Sequence, residues 1–270
     1  MPPIQTKQEV HLRMISRRII RTKVLQVLYA YYSSTGKSLN NTEKELFFCI
    51  TKTYDLYHYL LLLIVEIADY AEQRIEIRRN KHQPTSEDLH PNTKFISNQV
   101  IRQLRDNRQL NTYLNQKKMS WVNHPELIKE LYGFLVESEF YKEYMEDKTR
   151  SFMDDRKFVD KVFTKIILLA EDLYEVLEEQ SIYWNDDVDF VVSMISKTLK
   201  KFNEYSDTDQ RLLPMFKDQD DRQFAKDLLR KSIINHDELR ELIKNHSKNW
   251  DVERIAFMDI LIMQLAITEF

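Results

Sequence analysis

The chain has 270 residues, of which 43% are hydrophobic and 31% charged, with a formal net charge of −3. That length and apolar content supply one large or two small packed cores, and so small a net charge selects no class of partner. Only 2 glycines occur, where ordinary usage would give about 19. Sheets, hairpins and phosphate-cradling loops rely on glycine for positive φ. The composition therefore argues against a doubly wound sheet or a β-barrel, and for an all-α fold.

In chain order, residues 1–13 are polar with two prolines and read as a flexible extension. From Ser16, a suitable N-cap, Ile20, Val24, Val27, Leu28 and Tyr31 form one helical stripe, and Gly36 stands where a C-cap is expected. Asn41 or Thr42 opens a long helix to about Arg79, and Pro84 and Pro91 punctuate a loop. Helical stretches follow over 93–117, 125–146 with Pro125 in its first turn, 154–180 and 187–204. After the Ser206–Asp209 break and Pro214, helices are expected over 219–233, 236–246 and 251–270. The last is apolar round nearly its whole perimeter from Ile255 to Ile267, a pattern that belongs at the centre of a bundle. Nothing downstream of Phe270 is present to cover it, which reads as loss of part of the natural protein. The same perimeter makes a homo-oligomer an expectation.

The lone Cys49 has no internal disulfide partner, and the polar, basic N-terminus lacks the apolar stretch of a signal peptide. The longest apolar run, Tyr59–Val65, stops at Glu66 and Asp69, short of the roughly 20 residues of a membrane span. A cytoplasmic protein with no membrane partner is the expectation.

The first helix carries the best chemical signal. At about 100° per residue, Arg17, Arg18 and Arg21 share an arc beside the apolar stripe, and Gln26 and Tyr29 continue round the exposed side. Arginine forks grip phosphate oxygens, while amide and phenol groups reach or stack on bases. A solvated basic face is the bland alternative. Cations at a helix N-terminus oppose its dipole, so helix stability does not account for them.

The R-R-x-x-R…L-Q-x-L-Y pattern over Arg17–Tyr29 resembles the opening of NusB proteins. Trp250–Ile255, followed by Asp259–Ala266 and Glu269, resembles that family's central buried helix, and residues 219–246 resemble the helix pair before it. The likeness covers two blocks, 14–36 and 219–270. It implies an all-α NusB-like bundle with family-like segments over 14–46 and 216–270 and a helical insertion over 47–215. Three departures stand out. Met263 occupies a position where the family often has arginine. The connection between the blocks is about 170 residues, far beyond ordinary loop length. The family's last two helices are missing after Phe270.

The resemblance further implies a non-catalytic transcription antitermination factor without a cofactor. Its partners would be single-stranded box A-like RNA, the ribosomal protein NusE and the RNA polymerase antitermination complex. Arg17, Arg18 and Arg21 would contact phosphates, with Gln26 and Tyr29 at the RNA-facing edge. Two rivals stay open: the NusB-like N-terminal part of an rRNA cytosine methyltransferase, and a helical interaction scaffold that binds no RNA.

Other signals carry less. Gly36-Lys37-Ser38 ends like a P-loop, but Tyr31 stands where that motif needs glycine. His236 has no second histidine at i+4, so no metal site is expected there. His58 and Cys49 read as packed residues. The acidic runs Glu171-Asp172, Glu178-Glu179, Asp186-Asp187-Asp189 and Asp218–Asp221 read as helix N-termini and solvated faces. Arg74, Arg78, Arg79 and Lys81 form a second basic patch at a helix C-terminus.

Overall fold

The computed structural model describes residues 13–36, 38–206, 208–247 and 256–270. Regular structure among them is helical throughout, as the scarcity of glycine requires. The helices are α1 (Arg17–Tyr32), α2 (Leu39–Arg79), α3 (Ser86–Leu89), α4 (Gln99–Arg105), α5 (Arg108–Lys117), α6 (Pro125–Glu137) and α7 (Glu139–Glu146). They continue with α8 (Phe152–Lys165), α9 (Glu171–Gln180), α10 (Val188–Leu199), α11 (Gln219–Ile234), α12 (His236–His246) and α13 (Phe257–Glu269).

Several expected boundaries move, each for a local reason. α1 stops at Tyr32 with Ser33 as C-cap, and Gly36 takes its positive φ of 82° three residues later. α2 starts at Leu39 rather than Asn41, because Ser38 Oγ accepts from the Asn41 amide at 3.3 Å. The stretch 93–117 is two helices, since Asn98 and Asn107 each cap a new N-terminus with their side chains. Ser138 divides 125–146 in the same way. The stretch 154–180 is broken by a 3-10 turn at Ile167–Leu169, and the helix expected over 187–204 ends at Leu199. The loop between Pro84 and Pro91 holds α3, built on a capping box between Thr85 and Asp88. The extension over 1–13 lies outside the described residues apart from Arg13, as does the start of the last helix over 251–255.

The chain divides into two compact units, residues 1–54 with 213–270, and residues 55–212. α2 contributes residues to both. By length and composition this 41-residue helix is long and apolar enough to cross a membrane, and 78% of the apolar window that meets the test is buried inside the protein.

In the first unit Ile20, Val24 and Leu28 of α1, Leu46 and Ile50 of α2, and Ala225 and Leu229 of α11 are buried almost completely. The chain ahead of α1 is pinned by backbone bonds from Met14 N to Pro214 O and Ile15 N to Met215 O, both 2.9 Å. α13 buries Ile260, Leu261, Gln264 and Leu265 but leaves Phe257, Met258, Ile262 and Phe270 exposed. Apolar grooves of about 610 and 390 Å³ flank it, against α1 and against α12.

The second unit is organised round aromatic residues. Tyr59 stacks on Trp121 with ring centroids 3.8 Å apart, and the Trp121 indole donates to Tyr59 O. Asn98 is fully buried: its oxygen caps α4, and its amide donates to Tyr144 Oη and Asp155 O. Burial and the hydrogen bond from Tyr144 to Asp155 raise that phenol well above its ordinary value. His58 is buried and stacked on Tyr113 at 3.8 Å, and Cys49, in the first unit, is buried too. No cluster of His, Cys, Asp or Glu suited to a metal ion occurs among the described residues.

Candidate nucleic-acid interface

α1 forms because its apolar residues recur at helical spacing. Ile20, Val24, Val27 and Leu28 turn inwards, together with Lys23. That choice of buried face fixes where every polar residue on the helix points. Ser16 occupies the N-cap, although its side chain makes no capping bond.

The five residues expected to meet RNA fall into two rows. Arg17 and Arg21, one turn apart, lean over α11 and α13. Arg17 Nε lies 3.6 Å from Asp221 Oδ1, and Arg13 Nε lies 3.1 Å from Asp221 Oδ2. Arg21 engages both carboxylate oxygens of Glu269 through Nε and Nη2. Both guanidinium groups stand over the Phe224 ring, at 4.8 and 5.7 Å from its centroid. The pattern is a ladder of alternating charge with an aromatic rung, in which each arginine already has an acid and a π-face.

Arg18 belongs to the second row. It lies about 60° round the helix from Arg21, is exposed, and has no ion pair among the described residues. Thr22, Gln26 and Tyr29 continue this row, all exposed, and Tyr29 keeps 44% of its surface open. Its ring sits 5.9 Å from that of Phe257. Leu25 and Thr22 then lead into the apolar groove beside α13.

The electrostatics follow from the ladder. The hydrogen bond from Arg21 holds the Glu269 carboxyl below its ordinary value, and the same bond raises Arg21 further. Asp221 is buried at the third position of α11, where the helix dipole favours an acid, and its amide is capped by Asp218 at 3.2 Å. The acidic run Asp218–Asp221 thus starts a helix and also supplies a counter-ion to α1. Asp221, Phe224, Glu269 and Arg13 are the members that reading the sequence misses. The one local signal was an acidic run that helix capping explains by itself.

In the second unit, the patch at the end of α2 is partly neutralised. Arg79 pairs with Glu76 and Lys81 with Asp88, each at 3.1 Å, while Arg74 and Arg78 are exposed. Ahead of Gly36 stands a helix, not the strand that a P-loop follows.

Residues 190–270, which span α10 to α13, match the NusB family. The match begins inside the 47–215 stretch and does not include α1. The transcription antitermination protein NusB of Salinibacter ruber is 35% identical over 57 residues, 21% of this chain and 36% of that protein. The chain therefore spans about a third of the length of this relative. No solved structure matches.

Proposed function

Since residues 190–270 match the NusB family, we propose that the chain is a non-catalytic RNA-binding factor of transcription antitermination, acting in the cytoplasm without a cofactor. Its RNA is a single-stranded, box A-like element. NusE is its protein partner, and together they join the RNA polymerase antitermination complex. In this reading 14–46 and 216–270 form the family-like body, and 47–215 is a helical insertion in it. Self-association through α13 is a further expectation.

One observation carries the reading. The arginine-bearing α1 lies outside the matched residues, yet it packs directly on α11 and α13, which lie within them, through Asp221, Phe224 and Glu269. Arg18 and the exposed row behind it offer a cation, an amide and a phenol to a strand running along α1. Arg21 exchanges its exposed partner Glu269 for phosphate at small cost, because such a surface pair contributes about 0–1 kcal/mol, and when Arg17 turns to phosphate the buried Asp221 keeps its pair with Arg13.

Fluorescence anisotropy with a box A-like RNA and a scrambled control, across a salt series with and without NusE, tests it. Preferential binding that NusE strengthens and that Arg18→Ala weakens is the expected result. Equal, feeble binding of both RNAs, indifferent to NusE and to Arg18, would overturn it in favour of the scaffold reading.

A further inference from the structure

On the side of α11 away from Phe224, a cleft of about 780 Å³ opens against the first turns of α2. Its α11 wall carries Arg222, Lys226 and Arg230 at four-residue spacing, and Lys44 stands on the α2 wall. Cations in such a row repel one another along a helix, so something must offset them. Glu43 does so for two: Lys226 Nζ lies 3.0 Å from Oε1, and Arg230 Nη1 lies 2.7 Å from Oε2.

Arg222 and Lys44 are left over. Both are exposed, and neither has an ion pair among the described residues. The Arg222 guanidinium rests 5.0 Å over the Phe47 ring, which holds a planar fork at the cleft mouth. Arg222 also sits near the N-terminus of α11, where the dipole disfavours a cation and favours an anion. The stability of the helix therefore gives no account of it, whereas an external anion does. Asp220 is the remaining acid of the lining, and side-chain amides supply the rest of its polar surface.

We propose that this cleft is a second phosphate-binding site, in which Lys44 and Arg222 hold the sugar–phosphate backbone of single-stranded RNA against the Phe47 ring. The inference rests on the RNA-binding reading above and adds to it a surface that α1 does not reach. Only the width of α11, about 10 Å, lies between the cleft and the arginine ladder, so a few nucleotides of one strand cover both.

The test uses the full chain with a Lys44→Gln/Arg222→Gln variant, a charge-keeping Lys44→Arg/Arg222→Lys variant, and Arg18→Ala. The neutral variant should lose about 3- to 10-fold in RNA affinity and flatten the salt slope by about 1.4, at roughly 0.7 for each single-strand phosphate contact. The charge-keeping variant should restore most of both. Photocrosslinking of 4-thiouridine RNA to the unmodified protein should place adducts on peptides holding Phe47 or Arg222, a readout that needs no variant to fold. Unchanged affinity and slope with no such adducts, while Arg18→Ala still weakens binding, would reject the cleft and leave the RNA reading standing. No binding of RNA by the unmodified protein at low salt would reject both.

Discussion

Arg18 differs from Arg17 and Arg21 in what it does for the folded chain. Its neighbours are tied to Asp221, Glu269 and Phe224, so removing either should lower the melting temperature as well as any affinity for RNA. Arg18→Ala should leave thermal unfolding unchanged, reduce RNA affinity several-fold and flatten the salt slope by about one phosphate contact. Equal effects of all three on melting would show that the two rows are not distinct. Glu269 makes a pH prediction. Its carboxyl is held below the ordinary value by Arg21, so its stabilising contribution is complete above the unfolded pKa of about 4.3 and lost as pH falls through the folded value. Glu269→Gln should destabilise the protein at pH 7 by no more than about 1 kcal/mol, because the pair is partly exposed and screened. The difference from the unmodified protein should shrink as pH is lowered below the ordinary carboxylate range, and vanish once the folded carboxyl is protonated, in melts of the two side by side.

At the level of elements, helices whose ends carry local chemistry were legible in the sequence. Ser16 starts α1 and Pro125 starts α6 as read, and α12 runs from His236 to His246 as expected. The breaks that went unread carry no glycine or proline to mark them: Asn98 and Asn107 cap new helices, Ser138 ends one helix and caps the next, and Ile166 leads into the 3-10 turn. Periodicity runs on through such a residue, and only the hydrogen bonds distinguish it. The candidate site divides in the same way. Arg17, Arg18 and Arg21 stand out by spacing, but their separation into two rows depends on Asp221 and Glu269, some 200 residues away, which no local pattern connects to them. Asn98 gives the sharpest test of an element. Asn98→Ala would leave two α4 amides and the Tyr144–Asp155 pair without its side chain. A loss of about 2 kcal/mol or more in urea unfolding is expected, and a loss under 0.5 kcal/mol would mean that the buried network compensates.

For the whole molecule, the uncovered side of α13 matters most. Phe257, Met258, Ile262 and Phe270 are exposed beside two apolar grooves, a concentration of apolar surface that soluble monomers rarely leave open. Sedimentation equilibrium should reveal concentration-dependent association, and Ile262→Glu should shift it towards monomer. A strictly monomeric protein at high concentration would set that aside. The ladder on α1 has a consequence in time as well. Arg21 precedes its partner Glu269 by 248 residues, and at about 5–20 residues per second roughly 12–50 s of synthesis separate the two. For most of that interval α1 has been made while α11 with Asp221 and α13 with Glu269 do not yet exist, so the nascent chain carries its basic helix in its least neutralised form before it is complete.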